Sequence, residues 1–142
     1  MSELFDQCLY FRLNRILHKL TIRADDAFAR HGLSSSHAYL MILLNNKPKI
    51  GTVELSKELN LNPSTITRLA DKMVAQGYLS RQKFGKRCEI SCTKEGKKLA
   101  LELEKSWQEF QQCNREHLGN EIYEGLNAEL KKMEANCVVV SG

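Results

Sequence analysis

The stretch TVELSKELNLNPSTITRLADKMVAQG, residues 52–77, constrains the fold of this chain more than any other part of the sequence. It predicts two short helices in quick succession. Thr52 caps the first helix, and Asn60 tolerates the turn conformation that ends it. Asn62 caps the second helix, with Pro63 at the first helical position, where a missing N–H costs nothing. Because only one residue and the caps separate the two helices, this segment is predicted to be a helix-turn-helix.

The second of these helices has two distinct faces. Its apolar residues follow the i, i+3, i+4, i+7, i+8 pattern of a face packed on a core. The remaining surface carries short hydroxyls and cations, which can approach DNA closely and bond phosphates or base edges, whereas Glu would be repelled. We expect Arg68 to bind a guanine edge and Lys72 a phosphate, although Asp71 nearby argues against tight packing at that end of the groove. The expected DNA-reading residues are Pro63, Ser64, Thr65, Thr67, Arg68 and Lys72.

A change of period after the second helix predicts a β-hairpin. In YLSRQKFGKRCEISC, residues 78–92, two short strands flank a turn at Gly85. Four of the seven residues from 81 to 87 are basic and none is acidic; they are Arg81, Lys83, Lys86 and Arg87. Such a wing beside a reading helix suits the negative potential of the minor groove. The alternative is that these are ordinary solvated charges on a surface helix and turn.

Further helices are predicted on both sides of this segment. One long helix covers residues 3–31 and ends at Gly32, and a buried helix follows that begins at Ser34–Ser36. After the hairpin, Thr93 caps a helix that reaches about Gly119, and a last apolar helix follows it. The expected fold class is therefore mainly α with a small β-hairpin wing. A winged helix-turn-helix at residues 34–93 is flanked by helical dimerisation regions at residues 1–33 and 94–142. The sequence leaves the role of the tail, residues 137–142, open.

The charge of the chain is unevenly distributed. The formal net charge is +4. Residues 1–50 carry +3 and residues 51–98 carry +5, whereas residues 99–142 carry −4. A polyanion is therefore expected to bind the middle of the chain. No apolar run of about 18 residues or more predicts a membrane span, and the N-terminus does not have the pattern of a secretory signal.

The cysteines and histidines do not form a recognisable metal or disulfide pattern. Five widely spaced cysteines without a C-x-x-C pair predict reduced thiols and a cytoplasmic protein; they are Cys8, Cys88, Cys92, Cys113 and Cys137. Cys88 and Cys92 are expected to pack on the inner side of the second wing strand. The four histidines lack mutual i, i+3 or i, i+4 spacing, so neither a metal nor another cofactor is expected. No catalytic motif is present, which favours a protein that is not an enzyme.

The chain resembles the MarR family of bacterial and archaeal transcriptional regulators. The resemblance rests on the helix order, on TVELSKELNLNPSTITRLADKMVAQGYLSR, and on CEISCTKEGKKL, which looks like the second wing strand running into the long fifth helix of the family. It implies a reading helix at residues 62–76 and a wing at residues 80–92. It also implies a homodimer formed by about residues 3–31, 94–118 and 121–137. Such a protein binds a pseudo-palindromic site on double-stranded DNA as a repressor, and a small aromatic or phenolic effector releases it.

The wing departs from the family pattern. That pattern has Asp, one residue, Arg, and then Thr seven residues after the Arg. Counting back from Thr93 puts Lys86 in the Arg position and Phe84 in the Asp position, while Arg87 fits if one residue is deleted. Lys86 and Arg87 are therefore both candidates for the minor-groove contact.

Apolar stripes on the terminal helices support the dimer independently, because a small winged domain alone could not cover them. Two other functions remain open. A redox switch could use Cys8, because one branch of the family senses peroxides through a cysteine in the first helix; here Tyr10 lies roughly at that position, and Cys8 is expected to be structural. Alternatively, the winged helix could be a protein-interaction module. Trp107, Phe110 and Tyr123 are expected in a core or interface rather than in a ligand cavity.

Overall fold

A computed structural model of the chain describes residues 3–137. Residues 138–142, which make up most of the tail, lie outside this range. A 3-10 turn at Glu3–Phe5 precedes α1, and another at Ala29–His31 follows it. The remaining elements in chain order are α1 Leu9–Phe28, α2 Ser35–Asn46, α3 Thr52–Leu59, α4 Pro63–Ala75, β1 Leu79–Phe84, β2 Arg87–Cys92, α5 Lys94–Leu118 and α6 Asn120–Asn136. The predicted fold class, mainly α with a β-hairpin wing, is confirmed.

The chain divides into two compact units, Met1–Trp107 and Gln108–Gly142, and α5 runs from the first into the second. Within residues 3–137, none of the helices is both long and apolar enough to cross a membrane.

The core of the first unit is built around α2. Leu40, Met41 and Leu44 of this helix have no exposed surface, which confirms the prediction of a buried central helix. Each such side chain contributes about 1.5–3 kcal/mol by leaving water. They belong to one cluster with residues from the helix-turn-helix, the hairpin and α5, namely Ile66, Met73, Leu79, Ile90 and Leu103. The winged helix is therefore organised on a single core that fixes α4 and the hairpin.

The helix-turn-helix forms largely as the sequence predicts. Asn60 adopts the left-handed conformation (φ 52°, ψ 47°) that ends α3. Asn62 is the N-cap residue of α4 and Pro63 follows it, but the Asn62 side chain makes no capping hydrogen bond. The prediction for Thr52 is wrong, because Gly51 is the N-cap residue of α3. The Gly51 backbone is extended, and its carbonyl accepts the Leu55 N–H at 2.9 Å, so Thr52 becomes the first helical residue.

The first helix is shorter than predicted. Instead of running from residue 3 to 31, α1 begins after Cys8, whose backbone is extended (φ −85°, ψ 114°), and a 3-10 turn lies on each side of the helix. None of the residues of the first turn, Glu3–Phe5, is buried. Without tertiary packing, a helix end does not recover the entropy lost in ordering it. Gly32 adopts the predicted left-handed conformation at the other end.

Thr93 joins the base of the hairpin to α5. Its Oγ1 accepts the Gly96 N–H at 3.1 Å, as predicted for a cap, and donates to the Gly77 carbonyl at 2.6 Å. The Thr93 N–H also donates to the Tyr78 carbonyl at 3.1 Å. Helix and hairpin approach so closely here that a Cβ on Gly96 would lie 1.9 Å from the Tyr78 oxygen. The start of α5 and the base of the wing are thus held in one geometry.

The second unit is a helical pair. α5 ends at Leu118, and Gly119 (φ 82°) precedes α6. Arg115 forms an ion pair with Glu124, and its guanidinium lies 4.5 Å from the centre of the Tyr123 ring. Tyr123, expected from the sequence in a core or interface rather than in a ligand cavity, contacts Arg115 through its ring.

Candidate nucleic-acid interface

One side of α4 packs on the core and the other is exposed. Ile66, Leu69, Ala70 and Met73 are buried. The residues predicted to read DNA lie on the outer surface, where Pro63, Ser64, Thr67, Arg68 and Lys72 are exposed and Thr65 is half-buried. The structure therefore brings the reading residues onto one helix surface, with Thr65 at its inner edge.

The exposed polar groups of α4 differ in what they can offer a ligand. Thr67 Oγ1 donates to the Pro63 carbonyl at 3.0 Å, so its hydroxyl proton is already used and its oxygen is left as an acceptor. Within residues 3–137, the side chains of Arg68 and Lys72 make neither a hydrogen bond nor an ion pair. These two cations are therefore available to an anionic partner without breaking an internal contact.

A histidine that sequence reasoning had considered only as a metal ligand lies beside these cations. His37 is in α2, and its Nδ1 is 2.7 Å from the Ser34 hydroxyl. Burial lowers its pKa below the ordinary value of 6.5, and the positive charges of Lys72 and Arg68 lower it further. His37 is therefore neutral at neutral pH and lies in the electric field of the α4 cations. No local pattern could have placed it there, because α2 and α4 meet only in the folded core.

The wing is a regular antiparallel hairpin. Leu79 pairs with Cys92, Arg81 with Ile90 and Phe84 with Arg87, which leaves a two-residue turn. Gly85 occupies the first turn position with φ 63°, a backbone conformation that glycine adopts without steric cost. The predicted turn at Gly85 is thus confirmed.

Register explains where the wing cations point. Directly paired residues share a face of the sheet. The face that carries the buried side chains of Leu79 and Ile90 therefore also carries Arg81 and Lys83. Arg81 forms an ion pair with Asp71 of α4, and its Nη2 donates to the Thr67 carbonyl at 3.1 Å. Sequence reasoning missed this arrangement, because it counted Arg81 among the free wing cations.

Three basic side chains of the wing make no polar contact within the described residues. Lys83, Lys86 and Arg87 are exposed, and in the described part of the chain their side chains have no hydrogen-bond or ion-pair partner. Lys86 is in the turn and Arg87 follows it, so both lie at the tip of the wing. Arg68, Lys72 and these three residues form the cationic surface of the winged helix.

The five cysteines all lie within residues 3–137, form no disulfide and differ in their surroundings. The expectation that Cys88 packs inside is wrong, because the residue is exposed; it is on the inward face, but the hairpin extends past the core there. Cys92 is half-buried, and burial raises the pKa of its thiol. Cys8 is half-buried at the start of α1. Among residues 3–137, no group of three or more His, Cys, Asp or Glu side chains is arranged to hold a metal ion.

The first unit also contains a cavity of about 640 Å³. Its walls come from α2, α3 and α5 and are formed by Tyr39, Ile42, Leu43, Asn46, Glu58, Leu59, Glu104 and Trp107. Trp107 packs against the core, as expected, and also borders this cavity. Lys47 lies 3.4 Å from the Glu58 carboxylate. Within the described range, the Glu104 carboxylate has no cationic partner.

The terminal helices carry uncovered apolar surface. On α1, Leu9 is 53% exposed and Leu17 63% exposed. The other large exposed apolar residues of these helices and of the preceding turn are Leu4, Phe5, Tyr10, Phe11, Ile16, Leu20, Ile22, Leu101, Leu118, Ile122, Leu126 and Leu130. Exposed apolar side chains that recur along a helix are typical of a protein–protein interface.

Comparison with known proteins finds a family match for the region that contains α2, α3, α4 and β1. Residues 33–84 match the sequence model of the MarR family. A stretch of 46 residues is 44% identical to an uncharacterised HTH-type transcriptional regulator of Methanocaldococcus jannaschii, and the match covers 32% of this chain and 36% of that protein.

Solved structures extend the similarity in fold. CouR of Rhodococcus jostii bound to p-coumaroyl-CoA superposes with a TM-score of 0.80 at 17% identity, covering 98% of this chain and all of that one. MepR of Staphylococcus aureus in complex with DNA gives 0.79 at 19% identity, covering 89% and 96%. The oxidised form of MarR from E. coli gives 0.74 at 18% identity, covering 88% and 93%.

Proposed function

We propose that this chain, whose residues 33–84 match the MarR family model, is a DNA-binding transcriptional regulator of MarR type that represses its target as a homodimer and is released by a small ligand. In this proposal, α4 enters the major groove and the wing contacts the adjoining minor groove. Arg68 reads a base edge, Lys72 binds a phosphate, and Lys86 or Arg87 enters the minor groove.

The observation that carries the DNA-binding proposal is the state of the cations on the winged helix. Five side chains on α4 and the wing are exposed and make no internal polar contact in the part of the chain that is described, namely Arg68, Lys72, Lys83, Lys86 and Arg87. They extend from a buried core that fixes the helix and the base of the hairpin. Preorganised cations of this kind bind phosphates without first breaking ion pairs, and they release the counterions condensed on DNA.

Selection of bound sequences from a random duplex pool tests this function and supplies an operator. The enriched site should be a pseudo-palindrome whose half-sites are about one helical turn apart. Affinity should fall steeply with salt, by about 0.9 logarithmic units per decade of salt for each phosphate neutralised. Failure to bind any duplex at low salt would overturn the proposal and favour a protein-interaction module instead.

The uncovered apolar side chains support the homodimer. Leu9 and Leu17 lie in α1, and Ile122 and Leu126 lie in α6. Each helix thus exposes a stripe that a second copy of the chain could cover, and a two-fold axis would then present two α4 helices to the two half-sites.

The cavity of the first unit is the proposed effector site. Trp107 and Tyr39 supply aromatic walls, and Glu58 and Glu104 supply its carboxylates. Because Glu104 has no cationic partner in the described range, the cavity favours an aromatic ligand with a cationic group over a phenolic acid. A ligand between α2, α3 and α5 would displace the helix-turn-helix relative to α5 and alter the spacing of the reading helices.

Release of operator DNA by small molecules tests the effector site. A cationic aromatic compound should raise the apparent dissociation constant, and its effect should weaken in Glu104→Gln. The matched anionic and uncharged aromatics should act less strongly. Equal release by all three compounds, or an unchanged response in Glu104→Gln, would contradict this assignment.

A further inference from the structure

Asp71 places a carboxylate on the surface that is proposed to bind DNA, where a negative charge is unfavourable. It lies in α4, between Arg68 and Lys72 on the exposed side of the helix, and its own side chain is 57% exposed. A free carboxylate at this position would repel the phosphate backbone. Its charge is balanced by Arg81, which the sequence had assigned to the DNA-contacting wing.

The Arg81 guanidinium spans one turn of α4. One nitrogen pairs with the Asp71 carboxylate, and Nη2 donates to the Thr67 carbonyl at 3.1 Å. Residues 67 and 71 are four apart, so the two acceptors lie above one another on the same side of the helix. The Arg81 side chain is 30% exposed. Two nitrogens of the Arg81 guanidinium are therefore engaged within the protein.

The outer wing has little else to hold it. The outer wing is residues 81–89, and every one of these residues is exposed. The buried residues of the hairpin, Leu79 and Ile90, lie on either side of this stretch in the sequence. A two-stranded hairpin without a packed face is marginally stable in water. The contacts of Arg81 are thus the polar link between the outer wing and α4 within the described chain.

We propose that Arg81 and Asp71 form a latch that positions the wing against the reading helix, and that Arg81 is a positioning residue rather than a phosphate contact. The proposal rests on the DNA-binding function inferred above. The latch fixes the direction of the wing tip relative to α4, so that Lys86 or Arg87 meets the minor groove while Arg68 is in the major groove. It affects recognition of a specific site, where both elements must bind in register, more than non-specific attraction to duplex DNA.

A double-mutant cycle on the full-length chain tests the latch. The variants are Asp71→Asn, Arg81→Gln and their combination, and Arg87→Gln is the matched control because it removes one free wing guanidinium. Each is titrated at several salt concentrations with the selected operator and with random duplex. Thermal unfolding establishes that each variant is folded.

The latch predicts that Arg81→Gln weakens operator binding about three- to tenfold, as expected for an ion pair together with a hydrogen bond. In the double variant Asp71→Asn/Arg81→Gln, which removes a neutral pair, binding to random duplex should change less than twofold, and the salt slope should stay the same. Arg87→Gln should weaken binding to both DNAs and reduce the salt slope by about 0.9. Asp71→Asn should act differently in the two backgrounds, because only the wild-type background has a latch to lose.

Trypsin provides a test that needs no DNA. Asp71→Asn changes no tryptic site, yet it should increase cleavage after Lys83 and Lys86 by releasing the wing. The latch is overturned if this rate is unchanged, if the two substitutions are additive, or if the double variant reduces the salt slope as Arg87→Gln does. Failure of the wild-type chain to bind any duplex would instead contradict the proposed function, and the cleavage test would still decide whether the latch holds the wing.

Discussion

At the scale of single residues, the basic side chains of the winged helix differ in whether they bind another group of the protein. Arg81 is bonded to Asp71 and to the Thr67 carbonyl. Arg68 belongs to the same helix surface and has no such partner in the part of the chain that is described. Composition counts both residues as basic, but only Arg68 has a guanidinium without an internal partner in the described residues.

Replacement of Arg68 by Ala should therefore weaken operator binding by about 1–3 kcal/mol and relax the sequence preference at one position of each half-site. The reason is that a bidentate guanidinium contact to guanine carries both affinity and discrimination. Competition binding against single-base variants of the operator measures both effects. Lys131→Ala is the control, because it removes one charge from α6. Retention of the full preference in Arg68→Ala would show that α4 reads DNA through another surface.

His37 should make DNA binding depend on pH. Burial and the charges of Lys72 and Arg68 lower the pKa of His37 below 6.5, so the folded chain favours the neutral imidazole. The stability that the neutral imidazole contributes to the folded chain is therefore complete above pH 6.5 and is lost as the pH falls below that value. Phosphates near these cations would raise the pKa again, so the complex takes up protons. Operator affinity should increase as the pH falls from about 7.5 to 5.5, by up to about tenfold for each pKa unit restored. His37→Gln should lose this increase, and an identical pH profile in this variant would exclude the linkage.

At the scale of elements, the close contact between the start of α5 and the base of the hairpin determines how these two elements pack. Gly96 lies where α5 meets Tyr78, and a Cβ there would be 1.9 Å from a carbonyl oxygen. Gly96→Ala should destabilise the chain by about 1–3 kcal/mol, because backbone must move to accommodate the methyl group. Gly125→Ala is the matched control in α6, where an added Cβ meets nothing within 4 Å. The higher helix propensity of alanine should raise the free energy of unfolding by up to about 1 kcal/mol in this variant. Urea unfolding measures both, and equal stabilisation would contradict the close approach.

The start of α2 illustrates what the sequence could and could not predict. Local caps and periods located α2, α3, α4, the hairpin and α5, because those signals act within a few residues. The α2 cap depends on a distant residue: Asp25 of α1 accepts the Ser35 N–H at 2.8 Å, while the Ser34 hydroxyl bonds His37. The Arg81–Asp71 pair likewise spans two elements. Such partners depend on tertiary approach and strand register, which one-dimensional patterns do not contain.

Asp25 should therefore contribute to stability in a pH-dependent way. Hydrogen bonds from the Ser35 side chain and backbone lower its pKa below 3.8. For a carboxyl with a lowered pKa, this contribution is complete above the unfolded value and is lost as the pH falls through the folded value. Asp25→Asn should be less stable than the wild type at pH 6, and the difference should shrink below about pH 3.8. A difference that stays constant to pH 2 would indicate that the charge of Asp25 is not involved.

At the scale of the whole molecule, the described part of the chain contains one winged helix-turn-helix, and its terminal helices carry many large apolar side chains that are exposed to water. Dimerisation would cover that surface and also place a second α4 on the DNA, so stability and recognition would depend on the same contact. The loss of this contact should weaken operator binding even though every DNA-facing residue remains in place.

Leu17→Glu tests this coupling, because it places a charge on a residue of α1 that is 63% exposed. Sedimentation should show a shift from dimer to monomer with helicity retained, since the side chain is outside the core cluster. Operator affinity should fall much further than the affinity for a single half-site, because the second half-site would no longer bind from the same particle. Val53→Glu is the matched control for association, as Val53 is 67% exposed but lies in α3. If both variants sediment alike as dimers, the two copies must meet through a surface other than α1.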